Sequence, residues 1–431
     1  MKKCYTILMA LVFVFATQKN IAQTNYEDGI FILNEGGAGS SNASLSFLDN
    51  SGNLTNDVFS TANPGMGLGD TAQGMGFYQD LGVIVSNVSN EVNVMSMSDL
   101  SHIATITTGI ENPRYVEFDN DLAYVTNWGD GGDATDDYVA VINIATNKVI
   151  NNIPVAEGPE EIVKKNGMLY IAHQGGYGFG NTVSVIDLAN YNVTSINVGD
   201  VPNSLEVDDN YLYVLCGGNP YYAPNGETPG SLYRIDLTDY TVMDEYNFAT
   251  GESPNFLELE NGVVYYMLSG NIYEFDFSET TLPTTELINT SSENIQIPYA
   301  MSYIDDTFYV ADAVDYISAG NVYTYDAAGT FQNNYTVGIL PNGFYKYENS
   351  SLSVPVQEQL QLTVYPNPAS ERIFLDTEER VNLSIYDIHG RMVKKETYTA
   401  NGININDLES GIYLVNLQQQ SKQKTIKIIV K

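Results

Sequence analysis

The sequence predicts an all-β protein: a seven-bladed β-propeller closed by pairing of its N- and C-terminal strands, followed by a small C-terminal β-sandwich. A short apolar segment recurs seven times at intervals of roughly 45 residues, and six of the copies open with a proline. In the first six units, two more β-branched or aromatic runs follow this segment. A repeat of this length built of short strands is typical of propellers, in which each repeat forms one four-stranded blade.

The first expected element is a secretory signal peptide, residues 1–22. Lys2 and Lys3 precede an apolar stretch from Thr6 to Ala16 that is too short to span a bilayer. After cleavage, Cys216 is the only cysteine that remains. A single thiol forms no intrachain disulfide, so core burial and ring closure are expected to hold the fold together.

The propeller is expected over residues 25–350. Its inner strands begin at Gln73, Pro113, Pro159, Pro202, Pro254, Pro298 and Pro341. Second strands are expected at 122–126, 169–172, 211–215, 263–268 and 307–310, and third strands at 139–144, 183–188, 232–237, 272–277 and 322–325. No segment repeats its apolar residues with a helical period, so we expect few helices.

The first unit lacks an inner strand. Gly29–Leu33 and Leu45–Leu48 match second and third strands, whereas a surplus inner strand lies at Asn342–Tyr347. We expect the surplus strand to pair with the N-terminal strands, because this pairing removes the exposed sheet edge of an open stack.

Five of the third strands end in an aspartate. These residues are Asp49, Asp187, Asp236, Asp276 and Asp326. Regularly spaced carboxylates can indicate a metal site, but an aspartate at a strand end also accepts hydrogen bonds from backbone N–H groups ahead of it. We interpret these aspartates as turn residues that start the next hairpin.

Two short motifs identify a resemblance for the propeller. Residues 124–127 read Tyr-Val-Thr-Asn, and residues 183–187 read Val-Ser-Val-Ile-Asp. With the phased repeats, they resemble the YVTN/YncE-like seven-bladed propellers found on the surface of Bacteroidota. Residues 170–173 and 213–216 depart from the motif, so the resemblance identifies the family more clearly than a subfamily.

A polar linker is expected at residues 351–361, and a second domain at residues 362–431. The second domain opens with Val-Tyr-Pro-Asn-Pro-Ala at 364–369, continues through Gly390-Arg391 and Gly411–Val415, and ends in a basic segment. The ordered motifs resemble the type A C-terminal sorting domain of the type IX secretion system. This resemblance implies a Bacteroidota protein that the type IX machinery carries to the exterior of the outer membrane, with no transmembrane span.

The charge is strongly acidic. The chain has 53 acidic and 18 basic residues, of which 44 acidic and 6 basic residues fall in the expected propeller. This balance argues against nucleic acid or an anionic polysaccharide as a partner, and it is compatible with bound Ca²⁺.

The loops between the second and third strands are rich in aromatic and amide side chains. The candidate ligand-binding residues in these loops are Trp128, His173, Tyr177, Phe179, Tyr221, Tyr222 and Tyr316. These loops lie on the face at which the inner strands begin. Aromatic surfaces beside amides suit a neutral or planar ligand such as a sugar or a corrinoid. The alternative is that these side chains only cover the tops of the blades.

Residues that follow the inner-strand prolines are expected around the mouth of the central channel. They are Arg114, Glu160, Asn203, Asn255, Tyr299 and Asn342. The three asparagines and Glu160 can ligate a divalent ion, bind a ligand, or cap strand ends. Arg114 can meet an acidic ligand group or neutralise nearby acids. The residues Asp130, Asp133, Asp136 and Asp137 offer a second Ca²⁺ candidate, although their loop lacks the spacing and terminal glutamate of an EF-hand.

Three functions remain open. The residues favour binding over catalysis, because His102, His173 and His389 are too few for copper or haem chemistry and no catalytic triad can be placed. The first function is capture of a small molecule for an outer-membrane TonB-dependent receptor, and the resemblance suggests cobalamin. The second is a Ca²⁺-dependent lactonase or lyase, and the third is a surface module that binds another protein.

Overall fold

The computed structural model describes residues 26–348, 362–377, 381–387, 391–399, 402–419 and 422–431. The expected signal peptide at 1–22 and linker at 351–361 lie outside these residues, as does His389. The chain divides into two compact units, Met1–Glu348 and Asn349–Lys431, and each is considered by itself.

The described part of the first unit consists of seven antiparallel sheets, here called blades one to seven. Blade one contains β1 (Gly29–Asn34), β2 (Ser44–Asp49) and β3 (Leu54–Thr55), together with β27 (Pro341–Lys346) from the end of the unit. Blade two contains β4 (Ala72–Tyr78), β5 (Leu81–Ser86), β6 (Glu91–Ser96) and β7 (His102–Ile106). Blade three contains β8 (Pro113–Asp119), β9 (Leu122–Asn127), β10 (Tyr138–Asn143) and β11 (Lys148–Pro154).

The remaining blades follow the same order from inner to outer strand. Blade four contains β12 (Pro159–Lys165), β13 (Met168–His173), β14 (Thr182–Asp187) and β15 (Val193–Asn197). Blade five contains β16 (Pro202–Val207), β17 (Tyr211–Cys216), β18 (Ser231–Asp236) and β19 (Val242–Asn247). Blade six contains β20 (Asn255–Glu260), β21 (Val263–Leu268) and β22 (Asn271–Asp276). Blade seven contains β23 (Pro298–Ile304), β24 (Thr307–Asp312), β25 (Ala319–Asp326) and β26 (Phe331–Ile339).

The inner strands form a closed ring. They contact one another in the order β27, β4, β8, β12, β16, β20 and β23, and β23 contacts β27. The ring closes inside blade one, where Ile30 of β1 lies opposite Lys346 of β27 and Ile32 lies opposite Phe344. The fold is therefore a seven-bladed β-propeller, and the predicted pairing of its N- and C-terminal strands is confirmed.

The core lies between successive blades. One apolar cluster joins Tyr124 and Val141 of blade three to Ile162 and Ile171 of blade four. The second strands are buried on both faces because each blade packs between two neighbours, and this explains why their sequences are continuously apolar.

Blade six differs from the expected four-stranded pattern. Its described strands number three, and the segment after β22 returns to the sheet only through an isolated bridge between Ile272 and Ile288. A 3₁₀-helix, Thr290–Glu293, follows this bridge. With α1 (Val58–Ala62), it makes up the helical structure of the described residues, so the expected scarcity of helices is confirmed.

The strand-end aspartates act as turn residues. The Oδ1 atom of each accepts a hydrogen bond from the backbone N–H two positions ahead, at 2.7 to 3.1 Å. The five residues are Asp49, Asp187, Asp236, Asp276 and Asp326. The structural interpretation of these carboxylates is confirmed.

The second unit is a small β-sandwich, as the sequence predicts. One sheet has the order β28 (Val364–Tyr365), β29 (Arg372–Leu375), β32 (Ile403–Asn404). The other has the order β31 (Met392–Thr397), β30 (Asn382–Tyr386), β33 (Gly411–Gln419), β34 (Lys422–Val430). Ile373 and Ile403 of the first sheet share a buried cluster with Ile385, Val415 and Ile428 of the second. Among the described residues of the whole chain, no helix has the length and apolarity needed to cross a membrane.

Candidate functional site

The propeller encloses a cavity of about 510 Å³ along its central axis. Residues from all seven inner strands line this cavity, which lies within the size range of small-molecule sites. The residues that follow the inner-strand prolines, expected from the sequence at the channel mouth, all line the cavity. They are Arg114, Glu160, Asn203, Asn255, Tyr299 and Asn342.

β-Bulges turn these side chains toward the channel. In β8, Pro113 pairs with Asn127 and Val116 pairs with Val125, so two residues of β8 lie opposite the single residue Thr126. The same shift occurs after Pro159 in β12. A bulge adds a residue to one strand and redirects its side chains. Each inner strand thereby presents polar groups to the axis while its later residues pack between the blades.

Arg114 is held by an ion pair inside the mouth. Its Nε and Nη2 atoms donate to the two carboxylate oxygens of Glu160 at 2.6 Å each. Gln174 Nε2 donates to the same carboxylate at 2.8 Å. The guanidinium lies 4.3 Å from the centroid of the Trp128 ring, which adds a cation–π contact. Of the two sequence-based interpretations of Arg114, this geometry agrees with neutralisation of a neighbouring acid.

Glu35, at the end of β1, forms a second polar group of the mouth. Its carboxylate accepts hydrogen bonds from Tyr299 Oη at 2.8 Å and from Asn342 Nδ2 at 3.2 Å. Burial raises the pKa of Glu35, and the hydrogen bond from Tyr299 partly opposes that shift. Asn342 Nδ2 also donates to the carbonyl of Ala72, whereas Asn342 Oδ1 is buried without a hydrogen-bond partner. Beside the mouth, the structure therefore leaves one buried amide oxygen unpaired.

Below the mouth the channel carries glutamates that the sequence analysis did not select. Glu161 and Glu258 line the cavity, and Glu206 interacts electrostatically with both. Burial raises the pKa of Glu161 to about 8 and that of Glu258 to about 7, and it raises the pKa of Glu206 well above its usual value. A repeat signal was available for two of them, since Glu206 and Glu258 each follow a proline by four residues.

Exposed aromatic side chains surround the loop face, as the sequence suggests. Tyr177 and Tyr222 are 79% and 69% exposed, and Tyr221, Phe179 and Tyr316 are also exposed. Phe179 of blade four and Tyr222 of blade five lie 6.4 Å apart between ring centroids, so the aromatic surface spans two blades. We call Tyr177, Phe179, Tyr221, Tyr222 and Tyr316 the aromatic rim.

Trp128 and His173 lie beneath the surface rather than in the aromatic rim. Trp128 is only 8% exposed and donates from Nε1 to the carbonyl of Pro159 at 3.1 Å. Tyr177 covers it at 5.9 Å between ring centroids. His173 is buried against Ser184 Oγ at 2.8 Å, and burial lowers its pKa to about 4. The structure therefore places both residues as supports and not as surfaces open to a ligand.

In the acidic loop of blade three, aspartate carboxylates accept hydrogen bonds from nearby backbone N–H groups. Asp136 accepts from the N–H of Asp130 at 2.9 Å, and Asp133 accepts from the N–H of Thr135 at 3.0 Å. Asp137 is buried and accepts from the N–H of Gly158 at 2.7 Å. Within the part of the chain that the structure describes, no group of three or more His, Cys, Asp or Glu residues is arranged to hold a metal ion. In this arrangement Asp130, Asp133, Asp136 and Asp137 are turn and loop residues, and Glu160 is paired with Arg114.

Comparison with protein families separates the two units. Residues 363–431 match the family described as "Secretion system C-terminal sorting domain". Residues 28–214 match the family described as "Domain of unknown function (DUF5074)". No curated protein gives a significant match. The second unit is thus assigned to a sorting family, while the family match within the propeller carries no function.

Several solved structures resemble parts of the chain at low identity. The computationally designed Ika8 protein has a TM-score of 0.47 and 11% identity, and the match covers 74% of this chain and 96% of that one. Hydrazine synthase from Kuenenia stuttgartiensis has a TM-score of 0.46 and 15% identity, with coverages of 65% and 93%. The extracellular domain of a B. thetaiotaomicron protein described as a one component system has a TM-score of 0.49 and 11% identity, with coverages of 94% and 57%. The propeller assignment therefore rests on the strand pairing of this chain.

Proposed function

We propose that the propeller is a surface-displayed receptor for a small organic molecule. The type IX sorting domain carries the protein out of the cell and attaches it to the surface. The observation that supports this function is a concave mouth, about 510 Å³ in volume, beneath a rim of exposed aromatic side chains. Exposed aromatic groups beside a polar cavity are typical of ligand sites, because a ligand buries the ring faces and satisfies the polar groups below.

Contacts connect the aromatic rim to the channel mouth. Tyr177 packs on Trp128, and Trp128 packs on Arg114. Tyr316 lies 6.0 Å from Tyr299 between ring centroids, and the hydroxyl of Tyr299 bonds to a mouth carboxylate. A ligand seated on the aromatic rim therefore acts on side chains that also line the channel. Rim and mouth are proposed to form one site.

Cobalamin is the first ligand to test. The expectation of a corrinoid, and of its transfer to an outer-membrane TonB-dependent receptor, comes from resemblance to other surface propellers and not from a contact of this chain. A corrinoid exceeds a cavity of 510 Å³, so it would lie across the aromatic rim with its edge over the mouth. This placement predicts that rim substitutions weaken its binding more than channel substitutions do.

The geometry of the mouth also bears on two alternative functions, a Ca²⁺-dependent enzyme and a surface that binds another protein. A Ca²⁺-dependent lactonase or lyase needs open carboxylates around a metal, and Glu160 is instead engaged by Arg114 and Gln174. A surface for another protein remains an alternative that the chemistry of the aromatic rim also permits. The concave mouth favours a small ligand over a flat protein surface.

Calorimetric titration of the purified full chain with cyanocobalamin tests the proposal. We expect binding that Tyr222→Ala or Tyr177→Ala weakens about tenfold, because each ring supplies about 1–2 kcal/mol of contact. The matched control is Ile150→Ala, which removes an exposed apolar side chain from outer strand β11. Absence of cyanocobalamin binding would exclude a corrinoid. A wider panel of small molecules with no rim-dependent binder would contradict the receptor function.

A further inference from the structure

The outer face of the four-stranded sheet in the second unit is apolar where a polar surface is expected. We propose that this face is the surface by which the type IX machinery recognises the sorting domain, and that it fits a protein surface with an apolar centre and acidic groups at its margin. The proposal concerns export, so it goes beyond the proposed function of the propeller and does not rest on it.

Strand register places the apolar side chains of this face side by side. Ile412 of β33 lies opposite Ile429 of β34. Two positions further along β33, Leu414 lies opposite Tyr386 of β30, and Tyr386 lies opposite Met392 of β31. Paired residues of antiparallel strands, and residues two apart in one strand, point to the same face of a sheet. These five residues therefore form one surface across all four strands, here called the apolar patch.

The apolar patch is exposed, and the packing of the sandwich does not explain it. Four of its side chains have 40–48% of their surface exposed: Met392, Ile412, Leu414 and Ile429. The intervening residues of β33, Tyr413 and Val415, are buried in the core between the two sheets. The core needs only one apolar face from each sheet, so the other face is expected to be polar. A contiguous exposed apolar surface is typical of an interaction site.

Two exposed lysines lie at the margin of the apolar patch. Lys427 of β34 lies opposite Leu414, and Lys395 of β31 lies opposite Ser384 in the next row of the same face. The ion pairs between described residues of this unit use Arg391 and Lys394 instead. The charges of Lys395 and Lys427 can therefore complement acidic groups of a partner.

The family of the second unit indicates what kind of partner this surface meets. Residues 363–431 match the secretion system C-terminal sorting domain, and such a domain is handled by proteins of the type IX machinery. The second unit must therefore offer a surface that another protein can bind. An apolar centre with a charged margin is the usual anatomy of a protein–protein interface, and the apolar patch with its two lysines has this anatomy.

The experiment expresses the full chain in a bacterium with a type IX system and measures how much of it an external protease reaches on intact cells. In the variant Ile412→Thr/Leu414→Thr/Ile429→Thr, the surface amount is expected to fall about tenfold, because contacts at the centre of an interface carry most of its free energy. Threonine has a high strand propensity, so the sheet is expected to stay folded.

The matched control removes three exposed apolar side chains from outer strands of the propeller. It is Ile103→Thr/Ile150→Thr/Val242→Thr, in β7, β11 and β19. Its surface amount is expected to change by less than about twofold, because isolated surface substitutions have small effects.

A second variant tests the charged margin without altering the apolar patch. Lys395→Glu/Lys427→Glu is expected to lower the surface amount about fivefold, because like charges across an interface are unfavourable. Lys395→Arg/Lys427→Arg keeps both charges and is expected to be exported like the native chain. Circular dichroism of each purified full chain checks folding, and the lysine variants decide the question if the threonine variant is unfolded.

Four results would overturn the proposal. The first three are normal export of a folded threonine variant, equal losses in that variant and its propeller control, and normal export after charge reversal. The fourth is a purified full chain that is dimeric and becomes monomeric in the threonine variant, which would assign the apolar patch to a second copy of the chain. Ligand binding by the propeller is measured separately, so failure of this inference leaves the receptor function standing.

Discussion

Arg114 and Glu161 occupy bulges of neighbouring inner strands, but their surroundings give them opposite properties. Arg114 has a bidentate carboxylate partner and an indole ring, so its charge is compensated inside the fold. Glu161 has a single backbone donor, Leu205 N–H, and lies near the carboxylates of Glu160 and Glu258. Arg114 therefore stabilises the mouth. The ionised form of Glu161 is unfavourable because no cation of the fold compensates it.

Replacement of Glu161 by glutamine is expected to stabilise the propeller at pH 8. The carboxyl titrates near pH 4.5 in the unfolded chain and near 8 in the folded protein, so the folded state binds more protons between these values. The free energy of unfolding therefore falls as pH rises through this window, and the stabilising contribution is complete only below about pH 4.5.

The expected gain for Glu161→Gln at pH 8 is about 1–3 kcal/mol, with little difference at pH 4.5. The groups that face Glu161 are unchanged in this variant: Glu160, Glu206, Glu258, Tyr115, Tyr345 and the N–H of Leu205. Urea unfolding at both pH values measures the effect. A gain of equal size at both values would contradict an origin in the buried charge.

The positions of single residues could be predicted from the sequence only in part. The residues after each proline were placed at the mouth correctly because the repeat fixes their position in the blade. Trp128 was expected in the aromatic rim, but its depth depends on Tyr177 from the next blade, and no local pattern encodes that contact. Glu206 and Glu258 were overlooked because nothing within their own strands distinguishes them, and only alignment of the repeats reveals their common position four residues after a proline.

At the scale of elements, strands were predicted well and the sheet edges less well. Each second strand is buried on both faces, so its sequence is continuously apolar and easily recognised, as in β21. Outer strands such as β15 are mostly exposed and carry no alternation that separates them from loops. The missing outer strand of blade six belongs to this class, because its replacement depends on one bridge, Ile272 to Ile288.

The closing strand β27 is the element whose loss has the widest effect. Truncation after Gly338 removes β27, exposes an edge of β1, and breaks the contacts of β27 with β4 and β23. We expect cooperative thermal unfolding to be lost or its midpoint to fall by more than 10 °C, on the order of several kcal/mol. Differential scanning calorimetry measures this change.

The control for this truncation ends the chain after Glu348, which keeps β27 and removes the second unit. Its propeller transition is expected to match that of the full chain. A truncation after Gly338 that melts like this control would show that the ring does not depend on β27.

At the scale of the whole molecule, export and binding are assigned to different units. The sorting domain is short and carries the family match that indicates a role, whereas the propeller carries the channel and the excess negative charge. Acidity keeps such a ring soluble outside the cell and attracts cations to its surface. Family resemblance thus accounts for the location of the protein, and the geometry of the channel has to account for its ligand.

Deletion of residues 363–431 is expected to separate these two tasks. The shortened protein should fold with the same thermal midpoint, because the ring contacts are complete by Lys346. In a bacterium with a type IX system, it should lose its accessibility to external protease on intact cells. Surface exposure that persists after the deletion would contradict the role of the sorting domain.

The pairing of β1 with β27 also has a consequence for the order in which the ring folds. Ile30 and Lys346 are neighbours in one sheet although more than three hundred residues separate them along the chain. Contacts of this kind form late, because a long loop must close before they contribute, and chains generally begin to fold from the N-terminus as they emerge. β1 can pair early with β2, which follows it directly, but its other edge waits for β27. Until β27 pairs with β1, the ring of inner strands cannot close.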